Sequence, residues 1–282
     1  MAIATLGDAL AESGATYASD PDPQLVRDSL PFALKLIESL LAEAPDHVGL
    51  LSAAASGFTQ YAYAFVQMDA DEMADHDLAG AEALRARARG LYRRARDYAL
   101  RGLEESHPGV IAALASAGPA REAALSGLDT ADLELTYWAT SAWGLAISLS
   151  KDDPRSLAEI SRVEALARRA LAIDADWSEG ALHEFMIALD GSRAESMGGS
   201  ALRARGHFDR AVGLSHGLRC SPYIAYAESV SVRNQDRDEF VHLLQTALTI
   251  DVDARPEWRL LNLVMQRRAR WLIDRADLLF AD

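Results

Sequence analysis

The chain has 282 residues, half of them apolar, which is enough to bury a large core in one extended domain or two packed halves. Twenty-eight basic residues against 42 acidic ones give a net charge of −14, so a polyanion such as nucleic acid meets an unfavourable average field, and a general nucleic-acid role is disfavoured. The lone Cys220 excludes an internal disulfide and a cysteine-based metal cluster.

Residues 1–20, MAIATLGDALAESGATYASD, have neither a basic start nor a continuous apolar core, so they are expected to form an N-terminal tail rather than an export signal. No other stretch is long enough to span a bilayer. The protein is therefore expected to be either cytosolic or the mature part of an exported precursor. After the turn cluster Asp20-Pro21-Asp22-Pro23, residues Leu25, Leu30, Ala33, Leu34, Ile37, Leu40 and Leu41 predict an amphipathic helix that stops before Pro45. A long apolar helix follows from Val48 to about Met73. Its aromatic run, Tyr61, Tyr63 and Phe65, is too apolar for a surface helix and predicts a central packing element.

Residues 77–105 carry the longest stripe, Ala81, Leu84, Ala88, Leu91, Tyr92, Ala95, Ala99 and Leu103. Seven arginines, from Arg85 to Arg101, occupy the opposite face, either as an anion or partner surface or as a solvated face answering the acidic excess elsewhere. His107-Pro108-Gly109 ends that helix, and a weakly patterned connection to about Asp129 has room for two short ones. Leu133–Ser150 is nearly uncharged, which predicts a helix buried all round with Trp138 and Trp143 as its largest groups.

The stretch Val163–Ser192 reads as two helical stripes joined by DADWS, with Ser178 as the N-cap of the second, and so as an antiparallel hairpin. RRALAIDAD (168–176) returns as QTALTIDVD (245–253), with Ala204, Phe208 and Ala211 between them. Ala170 to Ala211 is 41 residues and Ala211 to Ala247 is 36, close to a tetratricopeptide-like period with loop insertions. The expected fold is all-α, a solenoid of helical hairpins with cryptic tetratricopeptide-like repeats in one domain. Residues 24–129 form its first half and 130–282 a second half with clearer repeats. The loop DGSRAESMGGS (190–200) interrupts one hairpin. Arms at about Pro222–Val232 and Asp236–Ile250 precede a final, more charged helix from Pro256 to about Leu279.

Site chemistry is sparse. His183-Glu184 begins an H-E-x-x-H zinc helix, but Ile187 stands where the second ligand belongs, so the pair is expected to form internal hydrogen bonds. No nucleophile elbow, phosphate loop or dinucleotide turn is present, so neither a catalytic constellation nor a cofactor or metal is expected. Aromatic residues on buried helices instead suggest a binding scaffold with a largely apolar ligand.

The phrases TQYAYAFVQ (59–67), LYRRARDYALRGLEESH (91–107), WGLAISLSKDDP (143–154), GALHEF (180–185), YIAYAES (223–229) and NLVMQRRARWL (262–272) resemble the TatT family. These are the T components associated with tripartite ATP-independent periplasmic (TRAP) transporters. The likeness runs from about Ala9 to Phe280. It implies cryptic tetratricopeptide-like repeats, a water-soluble homotrimer with a pore lined by apolar groups, assembly with a periplasmic substrate-binding protein, and a lipoprotein tether. The lipobox cysteine of the family has no counterpart, Cys220 being the only cysteine.

The expected function is thus that of a non-enzymatic periplasmic accessory. It would bind a TRAP substrate-binding protein and a small hydrophobic ligand. Tyr61, Tyr63, Phe65, Trp138, Trp143, His183, Phe185 and Tyr223 are the candidate pore lining. A cytosolic adaptor that binds peptides in a tetratricopeptide groove is the alternative, and it would need a basic clamp on its concave face.

Overall fold

The computed structural model describes residues 14–280, and every regular element among them is helical. Two compact units form. One is Gln24–Asp174; the other joins Ala15–Pro23 to the chain from Ala175 onward. Residues 1–13 of the expected tail lie outside the described residues, and α1 (Gly14–Ala18) opens the rest.

In the first unit α2 (Pro23–Glu43) buries Val26, Leu34, Ile37 and Leu41. Its Leu25, Phe32 and Leu36 face outward, so the expected stripe is buried at Leu34, Ile37 and Leu41, half-buried at Leu30, Ala33 and Leu40, and exposed at Leu25. The long apolar rod α3 runs over 48–73. Its middle, Ala62–Gln67, widens into a π-helix between α-helical Val48–Tyr61 and Met68–Met73. Next come α4 (Leu78–Ser106), the two short helices α5 (Val110–Ala115) and α6 (Pro119–Ser126), then α7 (Leu133–Ser148), α8 (Pro154–Ala158) and α9 (Ile160–Ile173). Packing runs α3 on α4, α4 on α7 and α7 on α9.

Small residues let α4 approach its neighbours closely. Ala81, Ala88, Ala95 and Ala99 are buried with Tyr92 among them, and a Cβ on Gly102 would stand 2.7 Å from Leu135 Cδ1. The arginine face of α4 is in part solvated, with Arg87, Arg93 and Arg94 exposed. Its guanidinium groups reach across to adjacent elements: Arg85 to Asp71 at 3.3 Å, Arg87 to the Tyr61 hydroxyl at 3.4 Å, Arg89 to the Leu149 carbonyl at 3.1 Å, and Arg94 to Glu38. The arms tie the longest helix into its unit.

The second unit contains α10 (Ala181–Gly191), α11 (Ala201–Leu214), α12 over 221–234, α13 (Arg237–Thr249), α14 (Arg259–Asp274) and α15 (Ala276–Leu279). Like α3, α12 has a π-helical middle, Ala227–Ser231. Here α10 packs on α11, α12 on α13, and α13 on α14, while Arg259 donates to the Ser19 carbonyl at 2.7 Å and holds the N-terminal segment.

Both helices of the expected 163–192 hairpin form, α9 in the first unit and α10 in the second. Within the first unit α9 packs on α7, and within the second α10 packs on α11 and α12 on α13. Ser178 is not the expected N-cap: Ser178, Glu179 and Gly180 have φ of 48°, 52° and 99°, and the helix begins only at Ala181.

Burial repeats with the interval seen in the sequence. Val163, Ala167 and Ala170 on α9, Ala204, Phe208 and Ala211 on α11, and Phe240, Leu244 and Ala247 on α13 are all buried at one spacing. Side-chain bonds step by a similar interval, with Arg219 reaching the Ser178 carbonyl 41 residues back and Ser229 the Ile187 carbonyl 42 back.

Candidate functional site

In the first unit α4, α5, α7 and the start of α9 border an open cleft of about 370 Å³. Leu100, Leu114 and Trp143 form its buried floor, and Ile111, 41% exposed, stands at its edge. Trp143 is fixed from two sides. Its indole N–H donates to Glu159 Oε2 at 2.7 Å, and the Arg96 guanidinium sits 5.2 Å from its ring centroid. Arg96 is itself held by Asp97 at 2.9 Å, and Arg162 approaches Glu159 only to 3.9 Å. The result is an apolar floor under a rim that carries more positive than negative charge.

The other candidates in this unit make packing and stacking contacts. Tyr61 and Phe65 meet at 5.8 Å between centroids, on and beside the π-helical turn of α3, with Arg87 over the Tyr61 ring. Tyr63 is half-buried on the same turn. Trp138 is half-buried against the edge of Tyr137 at 4.9 Å, so α7 is not buried all round as its sequence suggests. In the second unit Tyr223 packs edge-on against Phe208 at 5.5 Å, and Phe185 is half-buried on α10. The candidate lining is thus distributed over the two units.

His183 and Glu184 are both engaged, as expected, in hydrogen bonds within the fold. Glu184 accepts from Arg219 Nη1 at 3.0 Å and from the Ser221 hydroxyl at 2.7 Å. His183 Nδ1 lies 2.7 Å from His207 Nδ1, so one ring must carry the shared proton and the other must be bare there. Behind them sits Asp190, fully buried, with Arg203 bound to both of its oxygens at 3.1 and 2.9 Å and Arg193 at 3.6 Å. Cys220 is buried too, and burial pushes its thiol up to about 12, which leaves it an inert packing group. Among the described residues no group of three or more His, Cys, Asp or Glu side chains could hold a metal ion.

Burial of His183, with His207 and Arg210 beside it, holds its pKa down to about 4 from 6.5. The unfolded chain therefore binds more protons than the folded one between those values, and folding stability is complete above pH 6.5 and lost as pH falls towards 4. Discounted for the solvent that still reaches the ring, the loss is on the order of 2 kcal/mol. Urea unfolding at pH 7 and pH 5 measures it. His183→Asn should show a smaller drop than the parent, and an equal drop would refute this assignment.

Sequence reasoning singled out Trp143, and Arg96 as one of seven arginines on a helix face, but missed Glu159 and Arg162. The bond from the Trp143 indole to Glu159 crosses 16 residues, beyond what a helix-face pattern can reveal.

Residues 19–280 match the family described as TRAP transporter T-component (TAtT). An uncharacterized protein of Treponema pallidum (strain Nichols) is 28% identical over 267 residues, which cover 94% of this chain and 83% of that relative.

Proposed function

Because the chain belongs to the TRAP transporter T-component family, we propose that it serves its transport system by holding the periplasmic substrate-binding protein and a small hydrophobic molecule. The family places it as a non-enzymatic accessory of a TRAP system, and the match over 19–280 is the observation that carries this reading. The recurring burial on α9, α11 and α13 supports a stack of tetratricopeptide-like hairpins, an architecture that offers extended surfaces to partners.

Tyr61, Tyr63, Phe65, Trp138, Trp143, His183, Phe185 and Tyr223 remain the proposed ligand-contacting set, with an apolar molecule as the fitting guest. Among the described residues no helix is long and apolar enough to cross a membrane. The proposed setting is the periplasm, as a lipid-anchored homotrimer. The peptide adaptor is less well supported, since Arg85, Arg87, Arg89 and Arg94 are spent on ties within the unit.

Native mass spectrometry with the purified substrate-binding protein of the same transport system tests the partner role. A complex is expected at about ten micromolar of each protein. Two separate masses at that concentration would overturn it.

A further inference from the structure

The cleft around Trp143 has a composition at odds with the rest of the molecule. The chain carries a net charge of −14, yet the rim of this cleft bears three guanidinium groups, Arg96, Arg101 and Arg162, against two carboxylates, Asp97 and Glu159. Those carboxylates are occupied. Asp97 binds Arg96 at 2.9 Å and Glu159 binds the Trp143 indole at 2.7 Å.

Arg162 stands 3.9 Å from Glu159, beyond hydrogen-bond length, and its side chain is 32% exposed. Arg101 donates to the Pro45 carbonyl, which uses part of a group with five N–H donors. Donors for an incoming carboxylate are therefore present beside an apolar floor. Enclosure distinguishes the class of guest. A small-molecule site buries most of its ligand, whereas this one is an open trough with Ile111 at its lip, suited to side chains presented from a larger body.

We infer that this cleft is the docking surface for a protein partner, receiving a segment in which an acidic side chain neighbours bulky apolar ones. The apolar side chains lie on Leu100, Leu114 and Trp143, and the carboxylate binds Arg162 and Arg101 in charge-assisted hydrogen bonds. This rests on the partner role proposed above, assigns it a place, and takes Trp143 out of the proposed ligand-contacting set.

Two groove variants test it in the full chain, Arg162→Gln and Ile111→Ser, each at a partly exposed position so that the fold is kept. Arg168→Gln, an exposed change on the same helix, is the control. Affinity for the purified substrate-binding protein should fall about tenfold in both groove variants and stay unchanged in the control. In a second arm a capped peptide of alternating glutamate and leucine should shift the Trp143 indole NMR signal, and its glutamine counterpart should do so at several times higher concentration. If the complex forms but ignores both groove changes, the docking surface is wrong while the transport role stands. If the parent protein forms no complex, both fall. Equal binding of the two peptides, or tighter binding of octanoate than of the acidic peptide, would also overturn the assignment.

Discussion

Asp190→Ala is expected to lower the unfolding free energy by about 3 kcal/mol, because it strands buried positive charge. The carboxylate is fully buried at the end of α10, and its two oxygens accept from Arg203 Nε and Nη2 at 3.1 and 2.9 Å in the planar fork that guanidinium and carboxylate share. Arg203 also donates to the Gly198 carbonyl at 2.6 Å, and Arg193 donates from Nε to the Leu189 carbonyl at 2.8 Å. Asp190 therefore anchors both ends of the glycine-rich loop. The close approach of that loop is confirmed at Gly199, where a Cβ would fall 1.9 Å from the Arg193 carbonyl oxygen. Without the carboxylate, Arg193 keeps its desolvation and loses its counter-charge, and the loop loses the bond that fixes it to α11. Urea unfolding should show the loss, and limited proteolysis should cut first within 192–199. A variant as stable as the parent, with no new cleavage there, would mean that solvent already reaches the carboxylate.

The contrast between Asp190 and the alanines shows what the sequence could reveal. Ala170, Ala211 and Ala247 stand at intervals of 41 and 36 residues, and all three are buried where neighbouring helices come close. Such a requirement for small size is written locally and periodically, so pattern reading finds it. The α-helical class, the long stripe of α4 and the two short helices after it were legible for the same reason. Asp190 looks like an ordinary polar residue at the start of a loop, because the partners that bury it, Arg203 and His207, lie a helix away. The arms of α4 were only partly legible, because an arginine on the outer side of an ideal helix is long enough to bend back onto adjacent elements. The cleft was half legible: a tryptophan on an uncharged helix draws attention, whereas Glu159 and Arg162 have no local signature that aims them at it. The turn between α9 and α10 was legible as a break between helices, whereas nothing in Ser178 or Glu179 signals their positive φ.

That same turn yields the other large expected effect. Gly180→Val should cost about 3 kcal/mol, well above an ordinary surface change, through two separate mechanisms. Gly180 has φ of 99°, following Ser178 and Glu179 at 48° and 52°, and a β-branched residue is a genuine outlier in that region. A Cβ there would also stand 3.0 Å from the Ala211 Cα, a backbone atom that cannot swing aside. The substitution must therefore push α10 away from α11, or reverse the turn, and either movement opens the core at Ala211. Gly206→Ala on α11 supplies the matched comparison. Its Cβ meets nothing within 4 Å and its φ is ordinary, so it should stabilise by up to about 1 kcal/mol. The two glycines then differ in sign, one required by geometry and one merely tolerated in a helix. Denaturant midpoints at unchanged slope would measure both. Equal and small effects would mean that α10 and α11 are held at a wider separation, with the turn free to adopt negative φ.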